Sequence, residues 1–308
     1  MINKNKKSII VYGLGRVWNK NCQLIDSHYE IVGYSDSNDK LKANYTEFVT
    51  VPNINQKDAD ILVCVAWPQM ADIINVLIDE YKISQERIIV WEKEECCLRN
   101  LTNRGSEFYS HSQFGEDYVI YSLLREKGIQ NEAVRYIELG VWNPIRLSNT
   151  YLFYECGAKG ILVEANPRYI NAIETIRSND IVLNRAVVSE DRRGESIPFY
   201  ITEDGGTSSI DAKSIDEHKT SIEEKVEVKT VTINKCMELL GERCTVLSID
   251  LEGLDEEVLF SLDFDRYAPE IICAETRGKG GKLFDYMKEK GYSYVFANGV
   301  NDIWSKEI

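Results

Sequence analysis

Positive charge and long hydrophobic runs are both scarce in this sequence. The 308 residues include 36 Lys and Arg against 50 Asp and Glu, which gives a formal net charge of −14. Nucleic-acid backbones and anionic membrane surfaces repel such a charge, so we expect neither as a partner. The basic N-terminus leads into an apolar run too short for an export signal or a membrane span, so we expect a cytoplasmic protein.

Cysteine pairs with the spacing of a zinc site are absent, although the sequence has eight cysteines. Several of them lie in apolar, strand-like runs, as Cys64 and Cys273 do. Buried, reduced thiols account for such positions. The sequence therefore predicts no zinc site, and it needs no disulfides because 44% hydrophobic residues suffice for a core.

The length of 308 residues predicts two domains, since a domain takes about 100–200 residues. Apolar runs alternate with helical stretches over residues 1–100, which indicates βαβ units and a parallel sheet. A polar stretch then precedes a second α/β series, so we place the domains at residues 1–104 and 105–308. The predicted strands of the first domain are residues 8–12, 30–34, 61–66 and 87–91, and its predicted helix is 68–81.

The second domain repeats this alternation, so the predicted fold class is α/β with two Rossmann-like, doubly wound domains. An inserted strand pair at 196–201 and 225–231 encloses a polar loop that we expect to be mobile. The other predicted strands are 134–139, 160–164, 181–188, 245–249 and 270–274, with a final hairpin at 292–297 and 302–305. The predicted helices are 115–127, 149–155, 167–177, 255–261 and 282–290.

A glycine turn in the first domain has the outline of a dinucleotide-binding motif. Gly13 and Gly15 follow the first strand, and Asp36 ends the second, where an acid can hold ribose hydroxyls. The third glycine position, however, is Trp18. We therefore favour a domain without cofactor, or one that binds a partner or a sugar nucleotide, over an NAD-binding domain.

Two carboxylates end neighbouring strands of the second domain. Glu138 precedes Gly140 at the end of one predicted strand, and Glu164 ends the next. Both lie at the carboxyl edge of a doubly wound sheet, where ligands bind. The glycine permits close approach of a ligand, and the second carboxylate can accept hydrogen bonds from a ribose diol. This pattern suits any adenosine-type ligand and does not separate NAD from S-adenosylmethionine.

The local sequence is more specific. The stretch YIELGVWNPIRLSNTYLFYECGAKGILVEANPRY resembles the FkbM-type methyltransferases, a branch of the class I enzymes that use S-adenosylmethionine. The similarity continues through LNRAVVSED, LSIDLEGLDEEVL and PEIICAET, and covers about residues 110–305. It implies a class I methyltransferase fold for the second domain. The departure is the loop after Gly140, which has Trp142, Asn143 and Pro144 where many class I enzymes have further glycines.

The resemblance also implies which residues contact the cofactor. The end of the first strand of the second domain and the loop after it would contact the methionine part of the cofactor. The end of the second strand would contact the ribose, and the end of the third would contact the adenine. For Asn166 the sequence also fits a helix N-cap, since Pro167 follows. The implied cofactor contacts are Glu138, Gly140, Ser148, Asn149, Glu164, Ala165, Asn166, Arg185, Ala186 and Asp250.

Carboxylates also follow the fourth and fifth strands of the second domain. Asp250 and Glu252 are two residues apart and share a face of an extended segment, and Glu275 ends the next strand. Methyl transfer to a hydroxyl needs a base, for which we rank Asp250 first and Glu252 second, with His218 as a further candidate. Asp250, Glu252 and Glu275 could instead hold Mg²⁺. The alternative is that Asp250 contacts the cofactor and Glu252 caps a helix.

For the acceptor, the expected contacts are Ser208 and the cations Arg277 and Lys279, which lie beside three glycines and could hold a diphosphate. The expected function is O-methylation, dependent on S-adenosylmethionine, of a sugar hydroxyl on a nucleotide-activated sugar or a surface-polysaccharide precursor. The alternatives are an NAD-linked sugar-nucleotide oxidoreductase or epimerase, and a non-catalytic binding protein. Whether the chain forms a homo-oligomer stays open.

Overall fold

The computed structural model describes residues 6–91, 110–212, 215, 219–276 and 281–307. The chain divides into two compact units, one around an N-terminal sheet and one around a larger C-terminal sheet. The predicted boundary between residues 104 and 105 lies outside the described residues, so it stays a prediction. Within the described part of the chain, no helix is both long and apolar enough to cross a membrane.

The first unit is a four-stranded parallel sheet in the order β2-β1-β3-β4. Its strands are β1 (Ser8–Tyr12), β2 (Glu30–Ser35), β3 (Asp60–Val63) and β4 (Ile88–Val90), which confirms the four predicted runs. Its helices are α1 (Arg16–His28), which was not predicted, and α2 (Gln69–Asn75), which continues as a π-helical turn, Val76–Glu80. β1 is buried over most of its length, as a central parallel strand should be.

The described residues between 110 and 307 form ten strands and six helices, and all of them belong to the second unit except α5, of which residues 171–176 fall in the first unit. The strands are β5 (Arg135–Leu139), β6 (Lys159–Glu164), β7 (Ile181–Asn184), β8 (Ala186–Val188), β9 (Ser196–Thr202), β10 (Ile222–Thr232), β11 (Val246–Ile249), β12 (Ile271–Glu275), β13 (Tyr292–Ala297) and β14 (Asn301–Lys306). The helices along this stretch are α3 (Glu116–Glu126), α4 (Tyr151–Glu155), α5 (Ile170–Ile176), α6 (Ile233–Leu240), α7 (Asp255–Phe260) and α8 (Gly281–Glu289).

Seven of these strands form one sheet in the order β13-β14-β12-β11-β5-β6-β7. The five neighbouring strands β12, β11, β5, β6 and β7 run parallel, whereas β14 is antiparallel to both β12 and β13. The chain therefore starts in the middle of the sheet at β5 and winds outwards in both directions. This is the predicted doubly wound fold of the class I methyltransferase type, which the structure confirms.

The core of this unit lies on the central strands. Ile137, Ile161, Leu247 and Ile272 are fully buried, one on each of four adjacent parallel strands. Strands covered on both faces are rich in apolar residues, which explains the hydrophobic runs of the sequence. Polar side chains concentrate towards the carboxyl ends of these strands, as Glu138 and Ser248 do, so we look for the chemistry at that edge.

A smaller sheet is inserted after β7, in the order β8-β10-β9. β9 and β10 form the predicted antiparallel pair, but the single strand predicted at 181–188 is wrong. The chain breaks at Arg185, whose backbone N–H bonds to the carbonyl of Glu164 at 3.1 Å, and β8 then pairs with β10. α6, which was not predicted, begins at its N-cap Thr232.

Candidate active site

A cavity of about 490 Å³ opens at the carboxyl ends of β5, β6, β11 and β12. Its volume lies within the range of about 300–1,000 Å³ of small-molecule sites. Several residues from separate strand ends, all named from the sequence alone, lie on its wall. They are Gly140, Glu164, Ala165, Arg185, Ala186, Ser208, Asp250, Glu252 and Glu275.

Gly140 lets two strand ends meet at the cavity floor. Its φ of +82° favours glycine, and a Cβ there would clash with the carbonyl oxygen of Asp250. The Gly140 N–H donates to the carbonyl of Val163 at 2.9 Å, and the Asp250 N–H donates to that of Leu139 at 2.9 Å. The backbone after β5 therefore lies directly against the backbone after β11.

Glu164 is buried at the tip of β6, and both of its carboxylate oxygens are anchored. Oε2 accepts the backbone N–H of Trp142 at 2.8 Å, and Oε1 accepts that of Asn166 at 2.6 Å. Burial raises the pKa of this carboxyl, and the backbone donors oppose that rise. The backbone N–H groups of Val141 and Ala165 contribute to the same opposition. Glu164 also lines the cavity, where a carboxylate can accept hydroxyl donors from a ligand.

Glu138 is held away from the cavity wall by its own neighbours. Oε2 accepts the hydroxyls of Ser148 at 3.0 Å and Thr150 at 2.6 Å, and Oε1 accepts the Asn149 N–H at 3.2 Å. The Asn149 side chain in turn donates to the hydroxyl of Ser248 at 3.0 Å. Glu138, Ser148 and Asn149 satisfy one another and are not among the residues that line the cavity. Their contact with the cofactor, which the resemblance implied, stays a prediction.

Asn166 is fully buried and also lies outside the cavity wall. Its side-chain oxygen accepts the N–H of Arg168 at 3.0 Å, which confirms the N-cap interpretation of Asn166 and Pro167. The adjacent Ala165 does line the cavity, and the Asn184 side chain donates to its carbonyl at 2.9 Å. Asn166 therefore shapes the turn that presents Ala165.

The carboxylates after β11 and β12, namely Asp250, Glu252 and Glu275, all line the cavity. Glu252 has a φ of +51°, and buried Asp255 holds this loop by accepting the N–H groups of Leu251 at 3.1 Å and Gly253 at 3.3 Å. Burial raises the pKa of Asp255 to about 7, and the negative charge of Glu275 adds to the rise. Strained backbone at such a site needs this kind of support.

The predicted magnesium site is not assembled. Over the residues that the structure describes, no group of three or more His, Cys, Asp or Glu side chains is arranged to hold a metal ion. Asp250, Glu252 and Glu275 line the same cavity without converging on one point. The predicted ligand set therefore does not fit a metal ion, and we derive no chemical step through one.

The expected acceptor contacts are only partly described. Ser208 lines the cavity, but its hydroxyl donates to the carbonyl of Gly205 at 2.9 Å and accepts the Thr202 N–H at 3.1 Å. Three further predicted residues, His218, Arg277 and Lys279, lie outside the described residues and stay predictions. Of the polar loop between β9 and β10, the described part contains an ordered turn around Ser208.

Trp142 is a residue of the cavity wall that was not predicted from the sequence. Its indole lines the cavity, its φ is +47°, and its Nε1 is buried without a hydrogen-bond partner among the described residues. Gly206 lies against the ring, since a Cβ there would be 3.3 Å from it, and a Cβ on Gly205 would clash with the Tyr169 hydroxyl. The adjacent glycines were the available signal for this close approach.

The glycine turn of the first unit is explained by contacts within that unit. A Cβ on Gly13 would clash with Val65, and the Asp36 carboxylate accepts the N–H of Leu14 at 2.8 Å. Trp18 is buried and packs edge-on against Tyr34. These contacts give Gly13 and Asp36 a structural role in the turn. The preference for a domain that does not bind NAD stays a prediction. A cleft of about 330 Å³ lies beside this turn.

Comparisons with known proteins bear on the second unit. A family model described as the Methyltransferase FkbM domain matches residues 131–294. Among solved structures, precorrin-6y C5,15-methyltransferase from Geobacter metallireducens GS-15 is 14% identical, with a TM-score of 0.34. That match covers 62% of this chain and 87% of the other, and it is too distant to inform the site. No curated protein matches the chain.

Proposed function

The chain belongs to the FkbM methyltransferase family, and from that premise we propose that it methylates a sugar hydroxyl with S-adenosylmethionine as the methyl donor. The family match supports methyl transfer and implies this cofactor. The choice of a hydroxyl on a sugar follows the FkbM type. The acceptor that we propose is a nucleotide-activated sugar or a precursor of a surface polysaccharide such as capsule or lipopolysaccharide.

The observation that carries the proposal is the acidic cavity at the carboxyl edge of the seven-stranded sheet. Its described wall contains one cation, Arg185, against the five carboxylates Glu164, Asp204, Asp250, Glu252 and Glu275. The sulfonium of S-adenosylmethionine is positively charged, and negative side chains around a partly buried site attract it. The cavity also lies where doubly wound sheets bind ligands.

The residues present fit this cofactor. Glu164 lies on the wall as the acceptor for the ribose hydroxyls, and Gly140 lets the backbones after β5 and β11 meet at the cavity floor. Ala186 and Phe199 offer an apolar surface to the adenine on the neighbouring part of the wall. The wall therefore combines a polar ribose contact with an apolar base contact, as small-molecule sites usually do.

When bound, S-adenosylmethionine supplies an electrophilic methyl group. The cavity's contribution is to hold an acceptor hydroxyl in line with that group and to exclude water, because positioning is the main source of acceleration in such a displacement. The hydroxyl also loses its proton, and we propose Asp250 as the group that takes it, with Glu252 as second candidate. Asp255 keeps the loop between them in place.

The direct test is methyl transfer from labelled S-adenosylmethionine to a panel of nucleotide-activated sugars and the matching free sugars. We expect label in at least one product, with the methyl group on oxygen by mass spectrometry. If S-adenosylhomocysteine binds but no panel member is methylated, the sugar acceptor is wrong. If S-adenosylhomocysteine does not bind, the cofactor assignment is wrong as well.

A parallel assay in EDTA tests the metal requirement. Since the described carboxylates do not converge on a metal site, we expect methyl transfer to persist after chelation. Loss of activity in EDTA, with recovery on addition of magnesium, would contradict this expectation and would return Asp250 to the role of a metal ligand.

A further inference from the structure

We propose that Arg177 is a positioning residue for the cofactor loop, by which we mean residues 140–150 after β5. Its side chain is fully buried, with 0% exposure, and it lies outside the cavity wall. A buried charge is costly unless every donor is paired, so such an arginine needs a reason. The inference rests on the proposed use of S-adenosylmethionine, because the loop forms one side of that site.

The guanidinium connects two points of the cofactor loop to Asp180, directly before β7. Nη1 donates to the carbonyl of Pro144 at 3.0 Å, and Nη2 donates to the hydroxyl of Thr150 at 3.0 Å. Nε donates to Asp180 at 2.8 Å. Because the guanidinium is planar and rigid, the two bonds to the loop define the distance between Pro144 and Thr150, and the bond to Asp180 holds the guanidinium itself.

The guanidinium is itself held in place. The rings of Tyr136, Tyr151 and Tyr154 surround it, with centroids 5.3, 5.5 and 4.7 Å from its central carbon. Asp180, its ion-pair partner, accepts the Tyr136 hydroxyl at 2.7 Å and the Gly160 N–H at 2.8 Å. The cation–π contacts and the ion pair with Asp180 therefore restrict the guanidinium of Arg177 to one position.

The loop that Arg177 holds reaches the cavity. Trp142 and Leu147 line the wall, with φ values of +47° and +61° that are unusual for residues other than glycine. The far end of the loop is shared with Glu138, since the Thr150 hydroxyl both accepts from Arg177 and donates to Glu138. Leu147 thus lies within the segment clamped between Pro144 and Thr150, and Trp142 lies two residues before the clamp. The residue that forms the clamp is itself outside the cavity wall.

The test compares the variants Arg177→Lys and Thr150→Val with the matched control Thr245→Val. Lysine keeps the charge but cannot make the three bonds, and valine keeps the shape of Thr150 without its hydroxyl. Thr245 is also buried, and its hydroxyl both donates to and accepts from Arg135 at 2.8 Å, far along the sheet from the cavity. All three variants lose hydrogen bonds, but only the first two affect the cofactor loop.

Binding of S-adenosylhomocysteine by calorimetry and the steady-state constants are the readouts. We expect the Kd and the KM for S-adenosylmethionine to rise about tenfold in Arg177→Lys and Thr150→Val, with kcat at saturation little changed. Thr245→Val should lower Tm without changing either constant. If Arg177→Lys does not fold, Thr150→Val decides the matter alone.

An unchanged Kd in both loop variants, with Tm lowered as in the control, would overturn the positioning role and leave the proposed function intact. Wild-type protein that does not bind S-adenosylhomocysteine would overturn the proposed function and this inference together. The two failures are therefore distinguishable from the wild-type titration.

Discussion

The carboxylate of Glu164 accepts the backbone N–H of Trp142 at 2.8 Å, so the tip of β6 holds the loop that follows β5. Trp142 lies 22 residues before Glu164 in the chain, and its φ of +47° is supported by this bond. The residue proposed to bind the ribose therefore also orders the other side of the site. Cofactor affinity and loop conformation should respond together when Glu164 is changed.

Glu164→Gln should weaken the binding of S-adenosylhomocysteine about tenfold or more, because an amide is a poorer and partly wrong partner for two N–H groups and two hydroxyls. Isothermal titration calorimetry measures this directly. The matched control is Glu126→Gln, at an exposed position at the end of α3, which should leave the Kd unchanged. Equal affinities for both variants would remove Glu164 from the site.

Gly140→Ala should lower the free energy of unfolding far more than the same substitution does at a glycine of similar conformation. Gly128 has a φ of +73° with no neighbour within 4 Å, so Gly128→Ala measures the conformational cost alone, about 1–2 kcal/mol. At Gly140 the clash with Asp250 should add about 1–3 kcal/mol. Urea unfolding of both variants checks this, and similar losses would mean that the two strand ends do not meet.

Asp255 should make stability depend on pH. Its pKa is about 7 in the folded protein, above the value of about 3.9 for an unfolded chain, so the folded state holds the proton more tightly. Stability from this group is then greatest below about pH 4 and falls as the pH rises towards about 7. Asp255→Asn removes the titration, so its free energy of unfolding, relative to wild type, should increase between about pH 5 and pH 8. Parallel pH profiles would contradict the raised pKa.

Asp250→Asn tests the choice of base. If Asp250 takes the hydroxyl proton, kcat should fall by about 10²–10⁴ while S-adenosylhomocysteine still binds. Glu252→Gln is the comparison, since Glu252 is the second candidate on the same loop. Should Glu252→Gln lose activity while Asp250→Asn keeps it, the roles of the two carboxylates are reversed.

Thermal shift distinguishes the proposed enzyme from an NAD-linked one. A ligand that binds only the folded state raises Tm, so S-adenosylhomocysteine should do so and NAD should not. The reason for the second expectation is that the third glycine position of the dinucleotide motif is Trp18, whose side chain is buried. Stabilisation by NAD alone would favour the oxidoreductase alternative.

Much of the fold could be predicted because its signals are local. The strands β5, β6, β11 and β12 are mostly apolar and almost wholly buried, since parallel strands are covered on both faces. The helix predicted from residue 149 begins only at Tyr151, because the residues before it bond to Glu138. Hydrogen bonding to Glu138 thus competes with helix formation at these residues. It depends on the tertiary structure, so helix propensity cannot predict it.

The sequence by itself determined the α/β order and the residues that end each central strand, so it placed Gly140, Glu164 and Asp250 at one edge. It did so because a strand is recognised from the pattern of a few consecutive residues, and because parallel strands all end at the same edge of the sheet. Only the tertiary structure decided that Glu138 faces inward, that Trp142 meets Gly206, and that Arg177 spans the cofactor loop. These are contacts between residues far apart in the chain, and their partners are selected by packing and by the cost of leaving a buried polar group unpaired.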